Sequence, residues 1–233
     1  IVGVYGVSGL IALANAALFL ATLVVCRKTW RGRPVTGRMA IGGLAAAAVL
    51  VGLTWAYGEV RIRAIDRLAS AAPTVRVAVV QGNIEQSQKW EPAFQAATIE
   101  TYIRLSLSTR PQQPELIVWP ESAAPFYFLK EVPPTRKLLE GVVANGTHFL
   151  IGAPAFELKG KAADYFNRAY LIGPGGEVLG TYDKAHLVPY GEFTPFKEYL
   201  PFLGKIVEHV GDFVAGAKGM PLDWQGRKLG IQI

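Results

Sequence analysis

The pattern of apolar residues along the chain changes near residue 71, from long uninterrupted runs to shorter segments. Before that point, residues 1–26 and 39–58 form two uncharged runs composed mostly of apolar residues. At about 1.5 Å of rise per residue, a helix of either length crosses the roughly 30 Å hydrocarbon core of a bilayer. The pattern predicts two transmembrane helices, and two buried helices of a soluble protein are the alternative. We therefore treat residues 1–70 as a membrane part.

Residues 71–233 show shorter apolar segments separated by glycine, proline and polar turns. Strands and helices alternate along this part, which is typical of a layered α/β fold. The predicted strands are 75–83, 114–122, 147–154, two strands within 165–184 around the turn "GPGGE", and "LGIQI" at 229–233; the predicted helices are 92–109 and 135–146.

Charge is concentrated between the two apolar runs. The net charge is +6, and five basic residues without an acid lie in the twelve residues 27–38: Arg27, Lys28, Arg31, Arg33 and Arg38. A single basic loop between two apolar runs indicates membrane topology and not a nucleic-acid groove. The positive-inside tendency places this loop in the cytoplasm and residues 59–233 on the opposite side. Cys26 is the only cysteine, so the chain forms no internal disulfide.

Polar residues at the ends of predicted strands are the candidates for chemistry. Glu121 follows "LIVWP", Lys184 follows "LGTYD", and Glu192 lies in the next loop. A carboxylate and a lysine in one cleft are suited to acid–base work, because each favours the charged form of the other. Solvated loop charges are the alternative. The three histidines are widely spaced, and no metal site is expected.

Four segments together resemble the carbon–nitrogen hydrolase (nitrilase) superfamily: "VAVVQGNIEQSQKW", "LIVWPESAAPF", "FNRAYLIGPGGEVLGTYDKAHLVPYGEFTPF" and "LGIQI". The two preceding apolar runs are similar to those of its membrane-bound acyltransferase branch. The resemblance implies an αββα sandwich for residues 71–233, here incomplete, and a multi-pass protein of the bacterial inner membrane with its catalytic domain on the periplasmic side.

The resemblance also implies roles for individual residues. Glu121 corresponds to the general base of a Glu–Lys–Cys triad, Lys184 to the group that stabilises the oxyanion, and Glu192 to a second acid that holds the lysine or the incoming amine. Trp90 corresponds to a position in the acyl-chain pocket, with an aromatic cover of the sheet edge as the alternative. Tyr190 and Phe193, beside Glu192, are further candidates for substrate binding.

The implied reaction moves an acyl chain from a membrane phospholipid to the amino terminus of a diacylglyceryl-lipoprotein, without a metal or organic cofactor. The nucleophilic cysteine of the family follows the segment that "LGIQI" resembles, so we expect a cysteine after Ile233 in a longer protein. The apolar segment 192–206 is expected to dip into the membrane interface; an ordinary packed loop is the alternative. A membrane-tethered amidase and a non-catalytic binding protein remain alternative functions.

Overall fold

The computed structural model describes residues 3–160, 162–195 and 213–233. The chain divides into two compact units, Ile1–Thr74 and Val75–Ile233. Each unit is described by itself below.

Two long helices dominate the first unit. Helix α1 spans Gly3–Val25 and helix α2 spans Gly37–Ala71, and both are long and apolar enough to cross a membrane. The connection contains a small hairpin of strands β1 (Thr29–Trp30) and β2 (Arg33–Pro34). Thr36 caps the start of helix α2, because its hydroxyl accepts a hydrogen bond from the backbone N–H of Met39 at 3.3 Å.

Helix α2 continues beyond the predicted run 39–58 and ends at Ala71. The apolar run identifies only the part suited to the bilayer, whereas the helix itself continues until a breaker, and Pro73 is the next proline. Small residues let the two helices approach closely. A Cβ added to Gly43 would lie 3.5 Å from the Cβ of Ala17, which is ordinary contact distance.

The second unit contains a five-stranded sheet with the strand order β3-β4-β5-β6-β7 among the described residues. Strands β3, β4 and β5 are parallel, and β6 and β7 continue the sheet in antiparallel fashion. The strands span Val77–Val79 (β3), Leu116–Val118 (β4), His148–Lys159 (β5), Ala162–Ile172 (β6) and Val178–Asp183 (β7).

One face of the sheet packs against helices α4 (Pro92–Ser108) and α5 (Val132–Asn145). Pro92 occupies the first turn of α4, where its missing N–H costs no helix hydrogen bond. Gly146 ends α5 in the left-handed conformation, with φ of 71°. The buried core between these layers includes Ile99, Tyr102, Ile117, Leu138, Phe149 and Ile151. A short helix, α3 (Gln86–Lys89), precedes α4.

The opposite face of the sheet is covered in part by a hairpin of strands β8 (Leu222–Trp224) and β9 (Arg227–Leu229). Leu222 and Trp224 bury their side chains against Leu116 and Leu171, which alternate along their strands with the helix-facing residues. The α/β prediction is confirmed: a helical layer lies on one face, a hairpin on the other.

Three predicted strands differ in the structure, and one of them, 114–122, is limited to Leu116–Val118. The predicted buried strand 75–83 is only Val77–Val79, and Val77 and Val79 are exposed, because this strand lies at the edge of the described sheet. The predicted strand 229–233 is wrong. Leu229 ends β9, and residues 230–233 form no strand because none of the described strands pairs with them. The predicted helix 135–146 begins earlier, at Val132, since prolines 133 and 134 fit its first turn.

Candidate active site

The sheet topology brings Glu121 and Lys184 to the same edge. Strand β4 runs parallel to β5, and β7 is antiparallel to β6 and therefore also parallel to β5. The carboxyl ends of β4 and β7 consequently point the same way, and Glu121 and Lys184 follow those two ends. Open α/β sheets bind ligands at this edge.

Lys184 is the buried centre of the cluster. Its side chain is 7% exposed, and its Nζ lies 3.1 Å from Oε1 of Glu121 and 2.9 Å from Oε1 of Glu192. Its backbone N–H donates to the carbonyl oxygen of Asn167 at 2.9 Å, and its carbonyl oxygen accepts from the N–H of Gly216 at 2.9 Å. The structure thus brings together the three residues that the sequence analysis assigned to catalysis.

Asn167 is a member of the cluster that sequence reasoning missed. Its Nδ2 donates to Oε1 of Glu121 and, at 3.0 Å, to Oε1 of Glu192. Asn167 is only 6% exposed and lies in the middle of β6, between Phe166 and Arg168. A buried amide inside a strand is unusual, but the burial of Asn167 is visible only in the structure, so the sequence offered no signal for it.

Hydrogen bonding holds Glu192 in its charged form. Burial by itself would raise the pKa of the Glu192 carboxyl, but hydrogen bonds from the Val188 backbone N–H, Lys184 and Asn167 outweigh it and lower the pKa. The Val188 N–H donates to Oε2 at 2.8 Å, so each carboxylate oxygen has a donor. Glu192 is therefore a fixed anion, which suits it to hold Lys184.

Burial and hydrogen bonding also have opposite effects on the pKa of Lys184, and their balance favours the cation. Burial lowers the pKa of its ammonium, but the hydrogen bonds to Glu192 and Glu121 prevail and raise the pKa above its usual value. Lys184 therefore stays cationic at neutral pH. An ammonium carries three N–H donors, and two of them point at the two carboxylates.

Glu121 is the most accessible member, since its side chain is 45% exposed. Its backbone lies against Gly152 of β5, where a Cβ would lie 2.9 Å from the Cα of Glu121 and 2.8 Å from the backbone nitrogen of Ser122. Ser122 turns the chain in the left-handed conformation, with φ of 51°. The carboxylate is thus placed by a close backbone contact and by its bonds to Lys184 and Asn167.

A second lysine contacts Glu121 through its backbone. Lys89 Nζ donates to the backbone carbonyl oxygen of Glu121 at 3.2 Å. Burial lowers the pKa of the Lys89 ammonium, against an opposing effect of the Glu121 charge. Lys89 was not among the predicted site residues.

The predicted substrate-binding residues lie at the surface around the cluster. Trp90 is 49% exposed, and the Nζ of Lys89 lies 5.9 Å from the centroid of its ring. Tyr190 is 55% exposed and adopts a φ of 60°. Its N–H donates to the carbonyl oxygen of the half-buried Phe193 at 2.8 Å. Residues 196–206 of the predicted interfacial segment lie outside the described residues.

The arrangement is suited to proton transfer and oxyanion stabilisation. An accessible carboxylate is hydrogen-bonded to a buried cation, a second carboxylate holds that cation, and the amide of Asn167 donates to both carboxylates. Such a site activates a thiol or hydroxyl that approaches Glu121. Cys26 belongs to the first unit.

These features define an α/β domain with a hydrogen-bonded Glu–Lys cluster at the carboxyl edge of its sheet. The sequence model of the carbon–nitrogen hydrolase family matches residues 76–233, and the chain belongs to this family. The fold is the nitrilase-like α/β fold predicted above.

Relatives and solved structures are similar to the chain over different extents. An apolipoprotein N-acyltransferase of Geobacter metallireducens is 41% identical over 100% of this chain and 43% of the relative. An apolipoprotein N-acyltransferase of Methylococcus capsulatus is 34% identical over 92% of the chain and 38% of the relative. The chain therefore spans less than half the length of these relatives. An amidase from Nesterenkonia sp. is 19% identical with a TM-score of 0.44, over 66% of this chain and 53% of the amidase.

Proposed function

We propose that this chain is part of an apolipoprotein N-acyltransferase that works through a thioester acyl-enzyme. The observation that carries the proposal is the buried Lys184, held between Glu121 and Glu192, in a domain that follows two helices of membrane-spanning length. The name of the two relatives supports the same activity. The acyl donor is a membrane phospholipid, and the acceptor is the amino group of a diacylglyceryl-cysteine.

We assign the nucleophile to a cysteine that follows Ile233 in the longer protein. Glu121 takes the thiol proton while the sulfur attacks the ester carbonyl carbon of the phospholipid. The carbonyl oxygen becomes an oxyanion, and the third N–H of Lys184 is the donor we assign to it. The tetrahedral intermediate then collapses, the carbon–oxygen bond breaks, and Glu121 returns its proton to the departing lysophospholipid hydroxyl.

The second half of the reaction repeats these steps with an amine. The acceptor amino group attacks the thioester carbon, and Glu121 accepts a proton from the nitrogen. The carbon–sulfur bond then breaks, the departing thiolate takes this proton from Glu121, and the amide product is released. Glu192 and Asn167 keep Lys184 and Glu121 in place through both halves. Trp90, Tyr190 and Phe193 line the approach for the acyl chain in this proposal.

Charge supports the membrane orientation in this proposal. The loop 27–38 carries five basic residues, which favours a cytoplasmic loop and a catalytic domain on the periplasmic side of the inner membrane. Both lipid substrates are available there at the membrane surface.

Single-turnover labelling tests the proposal. The full-length protein, incubated with a phospholipid carrying a labelled acyl chain, should form a hydroxylamine-sensitive labelled adduct and should transfer the label to a diacylglyceryl lipopeptide. Glu121→Gln should abolish the adduct, whereas Glu100→Gln, at an exposed surface pair with Lys137, should leave it unchanged. If the protein hydrolyses small amides but is not labelled by the phospholipid, the alternative function of a membrane-tethered amidase is favoured instead.

A further inference from the structure

Lys89 is a cation that the proposed acyl-transfer steps do not use. It ends the short helix α3, and its Nζ donates to the carbonyl oxygen of Glu121 at 3.2 Å. Among the described residues, no carboxylate lies within ion-pairing distance of this ammonium. Lys184, by contrast, has two carboxylate partners. Within the described part of the chain, Lys184 is thus paired with carboxylates, whereas Lys89 is held by a neutral carbonyl.

The surroundings of Lys89 are concave and contain both polar and apolar residues. Lys89 lines a cavity of about 210 Å³ together with Gln81, Asn83, Tyr102 and Pro120. Burial lowers the pKa of the ammonium, so the group gains from an anion that replaces its lost hydration. One of its three donors is used by the Glu121 carbonyl, which leaves others for a ligand.

The position of Lys89 relative to Glu121 and Lys184 indicates which type of anion it would bind. The same residue, Glu121, touches Lys184 through its carboxylate and Lys89 through its backbone carbonyl. An ester carbonyl bound beside the Glu121 carboxylate therefore has a second cation nearby. In a glycerophospholipid the ester and the phosphate are carried by the same glycerol, so both lie close enough to be bound at one site.

The neighbouring residue fits the same ligand. Trp90 exposes about half of its surface and lies beside the ammonium, with 5.9 Å from Nζ to the ring centroid. An exposed aromatic ring next to a lysine is the combination found where proteins contact lipid headgroups and the first carbons of the chains.

We propose that Lys89 binds the phosphate of the acyl-donor lipid and so selects phospholipids over phosphate-free esters. This inference rests on the proposed function. Lys89 is a binding residue in this scheme, and it leaves the proton transfers to Glu121.

Two substitutions separate phosphate binding from simple support of the Glu121 backbone. Lys89→Arg keeps the charge, and Lys89→Gln keeps an N–H donor for the carbonyl but loses the charge. Lys130→Met is the matched control, because Lys130 also lies over an aromatic ring, 5.4 Å from the centroid of Phe156, but is exposed and makes no described bond to Glu121.

The assay measures acyl-enzyme formation by the full-length protein with two donors. One donor is phosphatidylglycerol in detergent micelles, and the other is a p-nitrophenyl fatty-acyl ester, which has no phosphate and a more reactive leaving group. With phosphatidylglycerol, Lys89→Gln should be slower by about tenfold or more, the usual effect of losing a charged hydrogen bond. Lys89→Arg should remain within about threefold of the wild type, and all variants should react alike with the p-nitrophenyl ester.

The other results overturn the proposal. If Lys89→Gln loses the same fraction of its rate with both donors, and Lys89→Arg does not recover it, Lys89 is a positioning residue for Glu121. If Lys89→Gln reacts with phosphatidylglycerol at the wild-type rate, Lys89 has no role in binding the acyl donor. Inorganic phosphate tests the same site by competition: if it inhibits labelling by phosphatidylglycerol equally in the wild type and in Lys89→Gln, the phosphate binds elsewhere and the proposal is overturned. A wild type that is labelled by the p-nitrophenyl ester but by no phospholipid contradicts the proposed function itself.

Discussion

The contact between Gly152 and the segment that carries Glu121 gives the sharpest test of how the site is built. Gly152 lies in β5, and its carbonyl oxygen accepts a hydrogen bond from the N–H of Ala124 at 3.1 Å. A Cβ at this position would lie 2.8 Å from the nitrogen of Ser122 and 2.9 Å from both the Cα of Glu121 and the carbonyl oxygen of Pro120. All three are backbone atoms, so no side-chain rotation relieves the clash in Gly152→Ala.

The size of the displacement follows from these distances. Ordinary contact for a Cβ begins at 3.4 Å, so the Glu121 segment must retreat by about 0.5 Å, which is the tolerance within which catalytic groups are held. A misplacement of about 1 Å costs roughly a hundredfold in rate, so half of that costs about tenfold. Overpacking should also destabilise the domain by about 1–3 kcal/mol.

The assay is the rate of acyl-enzyme formation by the full-length Gly152→Ala protein, with thermal unfolding measured on the same preparation. Gly180→Ala is the matched control in the same sheet, because its Cβ would meet only the side-chain Cδ2 of Leu222 at 3.4 Å. Gly180→Ala should react at nearly the wild-type rate. A folded Gly152→Ala protein that also reacts at the wild-type rate would show that this contact does not position Glu121.

Four further predictions concern the charges of the site and the membrane part. Lys184→Met should abolish thioester labelling and cost about 3 kcal/mol in denaturant unfolding, since Glu192 is left largely buried without its cation; normal labelling contradicts the role of Lys184. Asn167→Asp replaces two donated hydrogen bonds by repulsion from Glu121 and Glu192, and labelling should fall at least about tenfold; a rate equal to the wild type argues against the assigned amide orientation. The pKa of Glu192 is lower in the folded state, so its contribution to stability is present above its unfolded value of 4.5 and is lost as the pH falls through the folded value. The difference in unfolding free energy between wild type and Glu192→Gln should therefore shrink below about pH 4.5, and a constant difference down to pH 3 refutes it. A reporter fused after residue 70 should be active only outside the cytoplasm, and activity confined to the cytoplasm reverses the proposed topology.

The local sequence pattern was sufficient to predict the elements that depend mainly on apolar periodicity, turn residues and the absence of charge. The uncharged runs predicted α1 and α2, because the absence of charge over a spanning length is visible in the sequence itself. The helix at Pro92 and the strand pair around "GPGGE" follow equally from apolar periodicity and turn residues. Pattern failed for "LGIQI", because an apolar run becomes a strand only where a neighbouring strand supplies hydrogen bonds.

The sequence alone also pointed to Glu121, Lys184 and Glu192, through their position after strands and through the resemblance to a known family. It could not show Asn167 or Lys89 in the site. Asn167 is 46 residues from Glu121 along the chain, and only the pairing of β6 with β5 and β7 brings its amide between the two carboxylates. Lys89 reaches the Glu121 carbonyl across 32 residues. Long-range contacts of this kind depend on sheet order and register, which short-range pattern does not contain, so the tertiary structure decided which polar groups share the site.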